Sequence, residues 1–389
     1  MNEAVIISTA RTPIGRARKG TLVGLDAFQL AEVVVAASVE RSGVPVADID
    51  DLVLAETYQG GGVIGRNVAV RLGLTSVPGL AHNRHCASGL AAVATAAGSI
   101  RAGMDRVVLA GGTESLTNQI PSLKRDAEGN YKPWMSEPNP STPEAPAFDM
   151  VITVGENTAR IAGLTRRDVD EWAAYSVGQA IASIDAGAFE QEIVPVPVPQ
   201  ADGTTKLFSV DEHPRRGTTV EGLAALPTVK KDLPDATVTA GNAAGLNDAA
   251  AMVTVASAEY AAGLGVAPLA RVRSWASVGI EPAQTGMAPS LAIPKALDRA
   301  GLTLGDVDLF EINEAFCSVP VAVIRKLGLD PALVNVNGSG CSLGHPIAAT
   351  GARMVVTMVN ELRRRGKSLG VVSMCAGGGM GSAMVIEAI

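Results

Sequence analysis

The sequence predicts an α/β protein of two related halves, each built of βα units, with a different kind of sequence set into the first. Three observations predict it. Short β-branched runs alternate with helical periodicity, the pattern of parallel sheets covered by helices on both faces. SGVPVADID (42–50) lies over AGLTLGDVD (300–308), and VVLAGG (107–112) echoes VVSMCAGG (371–378), as in a repeated unit. Between 118 and 235 the periodicity fades: five prolines fall between 133 and 146, and PVPVP and DEHPRRG follow. So long an irregular stretch in a compact chain reads as functional loops or linkers.

Taken in order, Ala4–Ser8 (AVIIS), Asp51–Ala55 (DLVLA), Arg106–Ala110 (RVVLA), Leu309–Ile312 and Leu369–Met374 (LGVVSM) read as buried strands. A helix is expected over Asp26–Arg41, where Leu30, Val33, Val34 and Ala37 fall on one face, Asp26 caps and Gly43 follows. Thr165–Asp185 opens on TRRD, a capping-box pattern, and stops near Gly187. Ile293–Ala300 places Pro294 in a first turn and Gly301 after its end. Ala349–Arg365 ends on three arginines and then Gly366, suited to the negative end of a helix.

The 389 residues suffice for two or three domains. Apolar residues are 47% and charged residues 18%, which excludes disorder. A net charge of −7 argues against a nucleic-acid-coating or basic membrane-surface protein. The start, MNEAVIIS, lacks the basic residues and long apolar run of a signal peptide, and no uncharged stretch is long enough to span a bilayer. The expectation is a cytoplasmic protein. Its four cysteines, at 86, 317, 341 and 375, form neither a disulfide framework nor a CxxC metal pair.

Chemistry can be sought at four places. Cys86 precedes an Ala-rich helix former, so the helix N-terminus favours its thiolate; a structural cysteine is the plain alternative. His345, pinned between Gly344 and Pro346 ahead of a helix, suits a general base. Cys375 opens CAGGGMG, where consecutive glycines let backbone N–H groups approach a developing oxyanion. Asn313 follows a strand and offers an amide. No GxGxxG or GxxxxGK[ST] supports a phosphate loop. Ligands of doubly wound sheets bind outside the carboxyl ends of strands. A nucleophile, a base, a second acid/base and amide donors at such ends predict acyl transfer through a covalent thioester. His85, Cys317 and Cys341 read as structural, with Cys341 four residues from His345.

The chain resembles the thiolases (acetyl-CoA acetyltransferases and 3-ketoacyl-CoA thiolases) from end to end. The motifs are ARTPIG (10–15), NRHCASG (83–89), AGGTES (110–115), TAGNAAGLND (239–248), EINEAF (311–316), NVNGSG (335–340), GHPIAATGAR (344–353) and CAGGGMG (375–381). The resemblance implies two βαβαβαββ halves in a layered α-β-α-β-α core, over 1–117 plus 236–265 and 266–389, with a loop domain over 118–235. It implies Cys86 as the nucleophile, His345 as its base and Cys375 as the second acid/base. Asn313, through a bound water, and His345 would form one oxyanion hole, and the backbone N–H groups of Cys86 and Gly377 another. It implies CoA contacts at Arg215, Ala244 and Phe316, no metal or cofactor beyond the substrate coenzyme A, and a homodimer or homotetramer.

Three positions depart from the family pattern: Ala244 where Ser is usual, Ala348 where Gly is usual, and Met150–Val151 where short-chain biosynthetic members carry His–Met. They bear on the pantetheine contacts and on acyl-chain length. The competing expectations are a decarboxylating ketoacyl synthase, which would favour a second His at Cys375, and an idle thiolase-like lipid carrier.

Overall fold

The computed structural model describes residues 2–59 and 63–389. Its core strands are β1 (Ala4–Arg11), β2 (Asp51–Ala55), β3 (Leu80–His82), β4 (Val107–Ser115), β5 (Asn247–Ser257), β6 (Ala270–Gly279), β7 (Leu309–Ile312), β8 (Leu369–Ala376) and β9 (Met380–Ala388). The helices that matter here are α1 (Ala27–Ser42), α2 (Ile64–Arg71), α3 (Ser88–Ala102), α4 (Arg166–Asp185), α5 (Pro289–Ala300), α6 (Ser318–Leu327) and α7 (Ile347–Arg365). The expected caps are present: Asp26 and Thr165 each close a capping box, and Gly43, Gly301 and Gly366 end their helices in the left-handed conformation. α5 starts earlier than Pro294 suggests, at Pro289, so Pro294 lies inside the helix.

The strands run in the order β7-β8-β9-β6-β1-β5-β4-β2-β3. From β1 outward the first half reads β1-β5-β4-β2-β3. From β6 outward the second reads β6-β9-β8-β7, with an isolated parallel bridge from Phe310 to Val334 where the first half has β3. The repeat seen in the sequence is therefore a repeat of topology. The halves meet where β1 pairs with β6 through Val5–Arg271 and Ile6–Ala270.

The sheet is mixed rather than parallel. β2 lies parallel to β3 and β4, and β7 to β8, but β4–β5, β5–β1, β8–β9 and β9–β6 are antiparallel. The reason is local: a glycine turn at 377–379 joins β8 to β9, and so short a link can return the chain only antiparallel.

Period-two alternation sorts these strands into layers. Val108, Val253, Val372 and Met384 face a central layer with α3 and α7. Their neighbours Leu109 and Met252 face α1 and α2, while Val371 and Val385 face α5 and α6. Five layers result, α-β-α-β-α. α3 and α7 cross closely: a Cβ on Gly89 would lie 2.6 Å from the Ala348 carbonyl oxygen and 2.8 Å from the Ala352 nitrogen. Residues 118–235 contribute two small hairpins, Ser122–Arg125 with Tyr131–Trp134 and Val196–Pro199 with Thr205–Phe208, besides α4 and short helices. Among the described residues no helix is long and apolar enough to cross a membrane.

The ARTPIG segment fastens β1 to this intervening chain. Arg11 is fully buried; its Nε donates to Glu192 at 2.6 Å and its two terminal nitrogens to Asp211 at 2.8 and 2.9 Å. Burial works against its charge, but the two carboxylates overcome that and raise its pKa. Arg11→Met would strand both carboxylates away from water, which should cost ~3–5 kcal/mol. Urea unfolding monitored by circular dichroism measures this, and a loss below ~1 kcal/mol would show that the clamp is dispensable.

Candidate active site

Cys86 sits on a tight turn two residues ahead of α3. His85 before it has φ +48°, a conformation uncommon outside Gly and Asn. Asn83 Oδ1 accepts from the His85 N–H at 2.9 Å, and Ser88 Oγ accepts from the Arg84 N–H at 2.7 Å and donates to the His85 carbonyl at 2.5 Å. The turn is thus held from both sides. Cys86 remains half-buried, facing a cavity of about 640 Å³ that Gly377 also lines.

The environment of the thiol differs from the sequence expectation. Burial pushes Cys86 up to about 11, against the backbone N–H groups of Gly377 and of Cys86 itself, which pull it down; buried Glu114 adds to the rise. Desolvation outweighs the helix N-terminus here. At neutral pH this favours the thiol form of Cys86 over the thiolate its position suggests.

His345 occupies the turn between the short helix Gly340–Leu343 and α7. Its N–H donates to Asn247 Oδ1 at 3.0 Å, and Gly344, at φ +112°, leaves no space there for a side chain: a Cβ would stand 2.6 Å from Asn247 Cγ. The ring's Nδ1 lies 2.7 Å from Thr350 Oγ1, whose own hydroxyl donates to the Pro346 carbonyl at 3.0 Å. With the hydroxyl proton on the Pro346 carbonyl, the hydrogen-bond network assigns Nδ1–H as the donor to Thr350 and leaves the lone pair on Nε2. Nε2 is buried with no partner among the described residues. Burial, helped by Arg353, lowers the ring to about 4, so it is neutral at pH 7. A neutral imidazole with a bare, fixed Nε2 is a proton acceptor.

Asn313 directly follows β7, and its backbone N–H donates to the Ser373 carbonyl at 2.9 Å. It is fully buried, yet neither amide atom has a partner among the described residues. The next residue, Glu314, is held by Trp172 Nε1, Ser176 Oγ and Asn335 Nδ2 at 2.8, 2.7 and 2.7 Å, which fixes the backbone that aims Asn313. A Cβ on Gly340 would stand 2.5 Å from Asn313 Oδ1, so the amide lies against Gly340. Cys375 lies inside β8 rather than after it, is 2% exposed, and is near enough for its charge to interact with that of Cys86. Burial first, then Cys86, drives its thiol far above the ordinary range.

A second cavity, of about 510 Å³, is lined by Arg215, Ala244, His213, Leu246 and Cys341. The stretch 341–347 borders both cavities, with Cys341 on one and Ile347 on the other, and His345 lies between these two residues in the chain. Phe316 stands apart from either lining; it is buried and bridges Ala243. Cys317 is buried filler. His85, which the sequence marks as structural, lines the Cys86 cavity, as does Met150. The sequence reading also missed Asn247, Thr350 and Glu114, all inside motifs it had singled out. Glu114 accepts from the Ala348 N–H at 2.9 Å and from Gln59 Nε2 at 2.7 Å, joining α7 to the Tyr58 loop. No group of three or more metal-ligating side chains occurs among the described residues.

Family models agree with this arrangement: the thiolase N-terminal domain matches residues 4–259 and the thiolase C-terminal domain 266–388. The chain belongs to the thiolase family. Acetyl-CoA acetyltransferase of Pseudomonas aeruginosa is 41% identical over 99% of both chains. 3-Ketoacyl-CoA thiolase of Bacillus subtilis is 39% identical over the full length of each. The crystal structure of human mitochondrial 3-ketoacyl-CoA thiolase superposes with a TM-score of 0.92 at 34% identity, covering 100% of this chain and 99% of that one. The thiolase fold is thus shared along the whole chain.

Proposed function

We propose that this thiolase transfers acyl groups between CoA thioesters through a thioester on Cys86, either joining two acetyl-CoA into acetoacetyl-CoA or cleaving a 3-ketoacyl-CoA. The observation that carries the reading is the buried, unpartnered Nε2 of His345, whose lone pair Thr350 fixes. In cleavage, Cys86 passes its proton to Nε2 as Sγ attacks the 3-keto carbon. The C2–C3 bond breaks, its electron pair stays on C2, and Cys375 supplies the proton that completes acetyl-CoA. The incoming CoA thiol then gives its proton to Cys375 and takes the acyl group, while His345 returns its proton to Cys86. Condensation runs the same steps backwards, with Cys375 removing the α-proton. The N–H groups of Cys86 and Gly377 would hold one oxyanion, and Asn313, through a water, with His345 the other, each donor contributing ~3 kcal/mol. Arg215 and Ala244, on the second cavity, would take the CoA.

The test is single-turnover acylation. Mixing the protein with a 3-ketoacyl-CoA, quenching and mapping by mass spectrometry should place the acyl mass on the Cys86 peptide. Activation of Cys86 needs a neutral His345 to take its proton. With the imidazole at about 4, that condition holds across the neutral range. The rate should stay flat from roughly pH 5 to 9 and fall as His345 protonates below that. A break near the ordinary imidazole value, ~6.5, would remove His345 as a buried base.

A further inference from the structure

The cavity that Cys86 lines is too large for an acetyl group. It holds about 640 Å³, whereas an acetyl group needs roughly 90 Å³ at the ~30 Å³ that a water-sized group occupies. Much of the lining is apolar: Ile120, Trp134, Met135 and Phe148 are 49, 46, 48 and 58% exposed, and Met150 and Ile347 also line the cavity. Four large apolar side chains open to water around one cavity leave a face that needs an apolar occupant. The remaining lining includes polar, uncharged side chains, Tyr58, Asn83, His85 and Ser122. Among the described residues no Lys, Arg, Asp or Glu lines the cavity.

His85 is the unusual member. Its backbone is held in the left-handed region beside the nucleophile, and a Cβ on Gly377 would lie 3.8 Å from its Cγ. Its ring nitrogens bond no described residue. Burial lowers its pKa, so at neutral pH the ring offers one donor and one acceptor. A purely apolar chain needs no such ring in the lining; a hydroxyl or keto oxygen on the substrate does.

We propose that this cavity receives the acyl half of the substrate and selects uncharged 3-ketoacyl chains well beyond acetyl, with His85 as the specificity residue for an oxygen substituent near the scissile bond. The oxygen lies near that bond because His85 directly precedes Cys86. The inference rests on the proposed role of Cys86 as acyl carrier and goes beyond it to the substrate class.

The experiment compares kcat/KM for thiolysis of acetoacetyl-CoA, 3-oxooctanoyl-CoA, 5-hydroxy-3-oxooctanoyl-CoA and 3-oxo-octanedioyl-CoA. Each buried methylene is worth about fourfold, so 3-oxooctanoyl-CoA should exceed acetoacetyl-CoA by on the order of a hundredfold. The hydroxylated chain should gain a further ~fivefold, as one hydrogen bond gives. The dicarboxylic chain, which would bury a charge without a partner, should fall at least ~tenfold below 3-oxooctanoyl-CoA. His85→Leu should abolish the gain from the hydroxyl, and His85→Asn, which tolerates the left-handed backbone, should keep part of it. Trp134→Ala should cut the long-to-short ratio by ~tenfold.

Equal rates for all lengths, or a best rate with acetoacetyl-CoA, would overturn the proposal. So would His85 variants that slow every substrate alike. If Trp134→Ala changed only the sedimentation behaviour, the apolar face would be the seat of a second copy of the chain, and the proposal would fail. These failures leave the acyl mass on Cys86 in place; absence of that mass with every substrate would instead defeat the function itself.

Discussion

Cys86→Ala is expected to lower thiolytic turnover by ~10⁴-fold or more while leaving the fold intact. A nucleophile that carries a covalent intermediate has no substitute in the site, and its removal typically costs that much or more. Cys375 cannot take its place: it is 2% exposed, its thiol is driven higher than that of Cys86, and no pair of backbone N–H groups faces it in the way Gly377 and Cys86 face the Cys86 sulfur. The fold should persist because Cys86 is half-buried and only packs at the edge of the central layer. Losing one sulfur there costs ~1 kcal/mol or less. Steady-state thiolysis and circular dichroism on the same preparation check both halves of the expectation. Turnover within ~tenfold of the parent would defeat the covalent mechanism.

Cys375→Ser should separate the two half-reactions. Acylation of Cys86 by an acyl-CoA should continue within ~tenfold, since that step needs only Cys86, His345 and the oxyanion donors. Exchange of the acetyl-CoA α-hydrogens with D₂O should drop by ~10²–10⁴, the usual worth of a positioned acid/base. A serine hydroxyl fits the same space but gives up its proton far less readily. Proton NMR of the acetyl methyl group follows the exchange directly. An undiminished exchange rate would take Cys375 out of proton transfer and leave it a filler of β8.

The helix ends, the repeat and the candidate cysteines were legible because they depend on local rules, whereas the five-layer core was implied only by the resemblance to the thiolases. Asp26 and Thr165 cap their helices where short-range hydrogen bonding says they should, and the strand runs recur at corresponding places in both halves. Strand direction was not legible in the same way. Alternating strands and helices suggest a parallel sheet, but the glycine turn at 377–379 and the long excursion before β5 decide the direction of β9 and β5, and neither is a feature of the strands themselves. Within the site, Cys86, His345, Cys375 and Asn313 stood out by residue type and motif. Thr350, which sets the tautomer of His345, did not, because its role depends on a hydroxyl whose proton is spent on Pro346. His85 was set aside because sequence neighbours on a helix diverge, yet its left-handed backbone turns it into the same cavity as Cys86. The burial that opposes a thiolate at Cys86 was not legible for a related reason: a helix N-terminus can be read from a sequence, while desolvation depends on residues as distant as Ile347 and Gly377, which line the same cavity.

That charge state bears on how the protein endures between turnovers. Sulfenic acid formation by peroxides starts from the ionised sulfur. A group with its midpoint at about 11 is ionised to only about one part in ten thousand at pH 7. Idle molecules would therefore offer oxidants a largely protonated sulfur, and under the proposed mechanism reactivity would arise only when a bound thioester lets His345 take the proton.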